Sequence, residues 1–599
     1  MSKRPISDYV GDSDALGYSE PQANISERIK CPYLDTINRQ VLDFDMEKKC
    51  CVTLSTQNVY CCLVCGKYFQ GRGKNTPAYT HSVQCSHFVF LNVGDNIIYC
   101  LPDSYEVIDS SLEDIKKCLK PSFSNRDMVE LNLSTSLSKD IHGINYLPGF
   151  VGLGNMNHTD FVNVIIHALV HIVPLRDFFL CPLNYVNSPS RLVHRFGELC
   201  RKIWSKENFK SIISPHELLY EISVLSKKRF AIGKLSEASE FLVWLLDELH
   251  KGIVTGGLGD AAAGPGAAKK ARASGASSII HQLFQGKVEV AVFTEKVSSA
   301  SSAPAASGDD DAAPTETTEA AYSANIPRAV EQKSQVVPFV ILSLHIPATP
   351  LFKDSEGGLV IPQLPLYDVL KRYNGERCFD IGVPGVSKTY TIRQLPQYLF
   401  IHLKRFTKNN FSQEKNSTIV TFPMKNLELK DYYFPDQATG ELAKVVPSAE
   451  QLGSFGVGEL KDYITRSGTD GQIRQMSVAI DKPELVDIAK TISDQQRLIF
   501  GTKYDLICNI CHDSVVGQGL QVDESKHMHA RQSKAFGRRG GISTATEGKG
   551  GAIIPGKFKT HCLNKTTNQW YEIQDLYVTE MSPQIIGLSE SYLLVYEKK

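Results

Sequence analysis

The chain carries no excess of charge: 65 Lys and Arg stand against 65 Asp and Glu, so its formal net charge is zero. That excludes a global basic field drawing the whole molecule to nucleic acid or an anionic bilayer, and leaves only local patches for such contacts. No apolar run approaches the ~18–20 residues that a membrane span needs, so no membrane partner is expected. The first residues, MSKRPISDYVGDSDALG, lack the apolar core of a signal peptide. The expectation is a chain of a reducing compartment, cytosol or nucleus. There its 15 cysteines serve as core residues or metal ligands rather than as bridges.

What is present suffices for several domains: 599 residues, 42% hydrophobic and 22% charged, an ordinary globular composition. Residues 1–28 are polar and aperiodic and read as a disordered tail. A Cys/His-rich segment, 29–121, reads as a small domain, and 122–144 as a polar linker. Residues 145–599 read as one large domain with insertions near 252–278, 298–324, 435–500 and 514–554. The first two insertions, rich in Gly, Ala, Ser and Pro, hold too few bulky apolar residues to offset their ordering entropy. In the large domain DFVNVIIHALVHIV repeats apolar residues at the helical period, and SEFLVWLLDELH does the same. QYLFIHLKRF, KYDLICNIC and SYLLVYEKK are short, β-branched or aromatic runs that read as buried strands. Helices early and strands late predict an α+β fold.

One constellation carries metal chemistry. Cys62 and Cys65 form a C-x2-C knuckle, with His81 and His87 downstream. Two thiolates and two imidazoles close a tetrahedral shell around one structural Zn2+. A second ion held by Cys31 with Cys50 or Cys51 is left open, because no C-x2-C pairs them. Cys508-Asn-Ile-Cys511-His512 spells a haem-attachment motif, but the segment alternates as a buried strand and no haem is expected.

CLVCGKYFQGRG, AYTHSVQCSHFVFLNV and YCLPDSYEVIDSSLEDI together resemble the ubiquitin-protease-type zinc finger. In that family an arginine and aromatics in the finger's pocket grip the free ubiquitin tail. By resemblance those positions are Lys67 and Tyr68 here, a degenerate pocket. Lysine lacks the planar bidentate fork, which weighs against a grip on ubiquitin.

The large domain resembles the ubiquitin-specific proteases. GLGNMNHTDFVNVIIHAL aligns with that family's nucleophile box, and SEASEFLVWLLDELH, LFQG, LPQYLFIHLKRF, YDLICNICHD and SYLLVYEK align with its later boxes in order. The resemblance implies a papain-like body of thumb, palm and fingers. In this register Asp160 takes the cysteine's position, with His158 beside the oxyanion position. Lys557, in Gly-Lys-Phe, takes the position of the histidine base. Gln574, in WYEIQD, takes that of the orienting carboxylate, and Asp575 keeps the neighbouring one. All three triad positions are then replaced. A carboxylate at a helix start is a poor nucleophile for an amide, and a lysine, with an ordinary pKa of ~10.4, reaches neutral pH already protonated and takes up no proton. The expectation is a non-enzyme in which Thr159 caps the helix and Asp160 faces Lys557 in a salt bridge. The fingers supply only Cys378, so no metal is expected there.

The order of these boxes is similar to that of the splicing-associated branch of the family. That resemblance implies a nuclear, non-catalytic scaffold supporting the tri-snRNP particle in pre-mRNA splicing. Its implied partners are spliceosomal U5-side and tri-snRNP proteins, including the helicase that unwinds paired snRNAs, with snRNA at most indirectly. A ubiquitin-binding adaptor outside splicing and an active deubiquitinase are the alternatives.

Overall fold

A computed structural model of the chain describes residues 31–133, 135–256, 277–296, 329–347, 352–353, 359–360, 362–376, 378–379, 386–408, 413–434, 501–514 and 556–599. The tail, and nearly all of the four expected insertions, lie outside these residues. The chain divides into two units, Met1–Pro121 and Ser122–Lys599.

The first unit is built on a five-stranded antiparallel sheet in the order β2-β1-β3-β4-β5. Its strands are β1 (Val59–Cys62), β2 (Tyr68–Gln70), β3 (Val89–Asn92), β4 (Ile98–Cys100) and β5 (Tyr105–Glu106). Helix α1 (Pro77–Cys85) crosses between β2 and β3, and α2 (Glu113–Leu119) closes the unit. Pro77 stands in the first turn of α1, where its missing N–H is no loss. The buried cluster beneath the knuckle is small: Tyr60, Cys62, Phe69, Ala78, Phe90 and Leu101.

The second unit begins with helix α3 (Asn125–Leu133). This corrects the expected linker. Arg176 donates to Asn132 Oδ1 at 2.7 Å and Lys206 pairs with Glu130 at 2.6 Å, so the segment packs on the large unit. Helices α4 (Asp160–Val170), α5 (Val173–Leu180), α6 (Arg191–Trp204), α7 (His216–Leu225), α8 (Ala238–Gly256) and α9 (Ile279–Phe284) follow. The sequence pattern read DFVNVIIHALVHIV as one helix, yet it bends by 93° after Val170. Pro174, in the first turn of α5, cannot continue the preceding helix. Every residue of α4 is buried, which makes it the central helix of the unit.

Two short strands, β6 (Gly152–Leu153) and β7 (Ile212–Ile213), pair in parallel. A second sheet is antiparallel: β8 (Gly286–Lys296) lies between β9 (Ala329–Phe339) and β12 (Val386–Gln394), with β11 (Cys378–Phe379) on the far edge. The side chain of Cys378 is outside the described residues. The main sheet runs β10-β13-β18-β14-β15-β16-β17, with Leu427–Glu428 added against β14. Its members are β10 (Ile341–His345), β13 (Tyr398–Lys404), β14 (Lys503–Ser514), β15 (Gly556–Asn564), β16 (Gln569–Gln574), β17 (Tyr577–Met581) and β18 (Ser591–Lys598). The three runs expected as buried strands are thus neighbours at its centre, β13, β18 and β14. Alternation gives β14 and β15 two chemical faces. Cys508, Ile510, Phe558 and Cys562 join the core cluster that contains α4. Asn509, Cys511, Asp513, Lys559 and His561 occupy the other face.

Candidate functional site

In the first unit the knuckle is a tight turn. The Gly66 N–H donates to Cys62 O at 2.8 Å and the Cys62 N–H to Lys67 O at 2.9 Å. Gly66 adopts φ +72°, and a Cβ there would lie 2.3 Å from Val41 O, so only glycine closes this turn. His81 projects from α1, and the left-handed Ser86 (φ +56°) ends the helix and brings His87 back to the knuckle.

The four ligand atoms lie within 4.8 Å of one another. Cys62 Sγ is 3.6 Å from His87 Nδ1, Cys65 Sγ is 3.4 Å from His81 Nε2, and the two ring nitrogens are 3.0 Å apart. A tetrahedral zinc shell with ordinary bond lengths requires about 3.6 Å for S···N and about 3.3 Å for N···N, so the donor set fits the ion. The neighbouring Cys62 thiol holds the Cys65 thiol well below the usual cysteine range, while Cys62 itself is pushed above it; a metal takes both as thiolates. Among the described residues no other Cys/His group gathers in this way. Cys31 keeps company with Cys100 and Tyr105, and Cys50 Sγ accepts backbone N–H groups of Val52 and Thr53 at 3.4 and 3.3 Å. Beside the knuckle the Lys67 side chain is exposed, and Tyr68 spends its hydroxyl on Asp43 O at 2.7 Å.

In the second unit the stretch 152–163 is held by one carboxylate. Asp575, at φ +50° in the turn between β16 and β17, accepts Asn155 Nδ2 at 3.0 Å on one oxygen and Asn163 Nδ2 at 3.1 Å on the other. Its carbonyl accepts the Leu153 N–H at 2.8 Å. Sequence reasoning noted Asp575 only as a neighbour of Gln574, and nothing local in WYEIQD signals a hub. A Cβ on Gly152 would lie 2.6 Å from Leu576 O, so this docking also needs a bare backbone. Replacing Gly152 by Ala is expected to cost on the order of 1–3 kcal/mol, because backbone cannot step aside as a side chain does. An unchanged urea midpoint would show that the hairpin yields.

Asp160 opens α4 and is only 5% exposed. Its Oδ2 accepts the backbone N–H of Phe558 at 2.8 Å. Burial pushes its carboxyl above the usual range, opposed by that N–H and assisted by the nearby charge of Asp575. The expected salt bridge with Lys557 does not form. Lys557 is exposed, and strand alternation turns it away from Phe558, which faces the helix. Thr159 occupies the N-cap position without capping. Its hydroxyl accepts the Met156 N–H at 2.8 Å and donates to Asn155 Oδ1 at 3.3 Å, closing the preceding turn instead. Asn157 and His158 are both left-handed in that turn, at φ +63° and +58°. Gln574 is half-buried at the end of β16, opposite Tyr577.

No imidazole among the described residues hydrogen-bonds Asp160. His512 packs edge-on against Phe558 with ring centroids 4.7 Å apart. His561 lies on the other face, its Nε2 3.1 Å from Glu572 Oε2, and its pKa is raised to about 9 by Cys511 and Glu572 against the pull of burial. Lys559 bridges Asp513 at 3.0 Å and Glu572 at 3.4 Å beside it. This polar network is absent from the sequence reading. Cys508 and Cys511 sit three apart on one strand and face opposite sides, so the CxxCH letters make no knuckle.

Chemically, the zinc quartet can hold a metal. At the start of α4 the Asp160 carboxylate is buried and already bonded, and among the described residues no imidazole is placed to serve it as a base.

Comparison with known proteins gives the family of the chain. A family model described as ubiquitin carboxyl-terminal hydrolase matches residues 151–533, and one described as a Zn-finger in ubiquitin-hydrolases and other protein matches 49–112. The human protein ubiquitin carboxyl-terminal hydrolase 39 is 35% identical over 580 residues, spanning 95% of this chain and 80% of its own length. Pre-mRNA-splicing factor SAD1 of Saccharomyces cerevisiae is 28% identical over 396 residues, 65% of this chain and 75% of its own. The crystal structure of an essential yeast splicing factor shares the fold, with a TM-score of 0.58 at 22% identity over 95% of this chain and 99% of that one. The chain belongs to the ubiquitin carboxyl-terminal hydrolase family, with a zinc finger of the kind found in ubiquitin hydrolases ahead of the hydrolase body.

Proposed function

We propose that this chain is a non-catalytic member of its family and works as a nuclear scaffold in pre-mRNA splicing, supporting assembly or stability of the tri-snRNP. In this reading residues 29–121 are a finger around one structural zinc ion held by Cys62, Cys65, His81 and His87. Residues 145–599 are a protease-like body whose triad positions have become Asp160, Lys557 and Gln574. The observation that carries the loss of catalysis is the Asp160–Phe558 hydrogen bond, which ties the carboxylate into the fold. Its place in splicing is supported by relatives named as splicing factors. The proposed partners are U5-side and tri-snRNP proteins, among them the helicase that unwinds paired snRNAs.

Two measurements test this. Affinity purification of the full chain from nuclear extract is expected to bring down snRNAs and U5 proteins; their absence counts against the splicing role. The purified chain is expected to release no ubiquitin from a conjugate, and Asp160→Cys is expected not to create activity. A thiol at a helix start still needs a base to serve the leaving amine, and Lys557 faces away. Release of ubiquitin that disappears in Asp160→Ala would overturn the non-catalytic reading.

A further inference from the structure

Helix α7 ends in an unusual turn. Lys227 and Lys228 are consecutive left-handed residues, at φ +52° and +63°. A non-glycine residue pays for that conformation, and two in a row persist only where surrounding bonds impose them. Those bonds are present. The Lys227 N–H donates to Val224 O at 3.1 Å, Lys228 to Ser223 O at 2.8 Å and Arg229 to Ser226 O at 3.0 Å. Phe230 follows, 3% exposed, with its ring 5.3 Å from Phe241 and 5.4 Å from Trp244. The Gly233 N–H then donates to Asn157 O at 2.9 Å, tying the loop to the turn before Asp160. The loop is thus a fixed platform against the stretch that holds the closed site.

This platform carries cations without counter-charges. Lys227, Lys228 and Lys234 are exposed and form no ion pair among the described residues. Of the nearby acids, Glu240 pairs with Arg229 at 2.5 Å, Glu217 with Arg195 at 2.8 Å, and Glu221, itself 9% exposed, lies near Arg191, while Glu237 is half-buried, with burial and the neighbouring Glu240 pushing its carboxyl above the usual range. Beside the lysines lies exposed apolar surface. Tyr220, Val224 and Leu225 on α7 are 56%, 55% and 43% exposed, and Ile232 in the loop is 44% exposed. Tyr220 and Val224 are one turn apart on one helix face, leading directly into Lys227.

We infer that the end of α7 and the loop 226–234 form a docking surface for an acidic segment of a partner protein that anchors apolar side chains on Tyr220 and Val224. Charge complementarity selects the acidic partner: three unpaired lysines in fixed positions attract carboxylates and repel basic segments. The apolar half selects protein over nucleic acid. A phosphate backbone gains from the lysines and gains nothing from Val224, Leu225 and Ile232. The surface is independent of any chemistry at Asp160, and it supplies the scaffold reading, on which it rests for its cellular setting, with a specific contact.

The test pans a random dodecapeptide library against the full native chain. The recovered pool is expected to be rich in Asp and Glu together with Leu, Phe or Trp. Its binding is expected to fall at least about tenfold for a chain carrying Lys227→Glu, Lys228→Glu and Lys234→Glu, and by a similar factor for Val224→Asp. Thermal unfolding of the variants, run alongside, is expected to match the native chain, since these side chains are exposed. Binding to the native chain is also expected to weaken steeply with salt. A pool without acidic bias, or one that binds the charge-reversed chain equally well, overturns the inference. So does U20 RNA that outcompetes the pool through the same lysines. The splicing reading fails separately, by absence of snRNA in the purification described above.

Discussion

Serine in place of Cys65 is expected to unfold the finger of the full-length chain while leaving the larger unit folded. The reason is the size of what remains. The finger buries 21 hydrophobic residues, but only six of them cluster directly beneath the knuckle, and the sheet strands are three or four residues long apart from the two-residue β5. A domain of about ninety residues buries a modest share of its surface, so its margin of stability is small and a bound metal supplies a large part of it. Structural zinc contributes on the order of 10 kcal/mol to such folds. Removing one thiolate also leaves the Cys62, His81 and His87 donors facing each other within 4.8 Å with no ion to join them. Hydrogen exchange on the intact chain measures the effect. Amides of Val59–Cys62 and Val89–Asn92 are expected to lose protection in the variant and in native protein treated with a strong chelator, whereas those of β13 and β18 keep theirs. Bound zinc, measured by elemental analysis, is expected to fall from one per chain to none. A Cys65→Ser chain that retains both its zinc and its protection would sink the assignment of the quartet.

The metal quartet was legible in the sequence because its constraint is local. The C-x2-C pair at Cys62 and Cys65 is followed by Gly66, which closes a turn, whereas the same spacing at Cys508 and Cys511 runs along a strand; two histidines on and just after a short helix complete the set. The central strands were legible for a similar reason, as continuous apolar runs that belong between other strands. The closed site was legible only in part. The resemblance of the boxes points to Asp160, but its partner depends on which way a strand faces, and a one-residue offset sends a side chain to the opposite side. Lys557 and Phe558 are adjacent letters, and the buried one supplies the contact through its backbone, which no side-chain pattern records. The role of Asp575 as a hub is not visible in the sequence for the related reason that its partners, Asn155 and Asn163, are more than four hundred residues away along the chain. The join 122–144 failed as a linker because a polar helix needs few apolar residues to be held: Asn132 and Glu130 are bound through Arg176 and Lys206.

Acid is expected to unfold the large unit well above the pH at which its carboxylates titrate, because its core holds neutral histidines. His167, His171, His402 and His512 are 1%, 7%, 8% and 2% exposed. Burial lowers their pKa from 6.5 to about 3, 4, 4 and 4 respectively. Both ring nitrogens of His167 lack a partner, so nothing in its surroundings welcomes a second proton. Above pH 6.5 these rings are neutral in both states and contribute nothing to the pH dependence. Below it the unfolded chain takes up protons that the folded chain refuses, and stability falls as the pH drops from about 6.5 towards 4. Shifts of about two and a half to three and a half units are worth roughly 3 to 5 kcal/mol per ring, so the four together reach on the order of 10 kcal/mol, comparable with the whole stability of a domain. Burial raises the pKa of Asp160 and Glu237, which opposes part of this loss. On the alkaline side the sign reverses for His561. Its pKa is raised to about 9, so its contribution is complete below 6.5 and is lost as the pH climbs through 9. Stability is therefore expected to peak near neutral pH. Urea midpoints read by tryptophan fluorescence at pH 7.5, 6, 5 and 4.5 measure it, and His402→Phe, whose ring can keep the edge-on contact with Tyr592 at 4.7 Å, is expected to remove about a quarter of the acid slope. A midpoint that stays level between pH 7.5 and 4.5 would mean that these four rings are not buried as neutral groups.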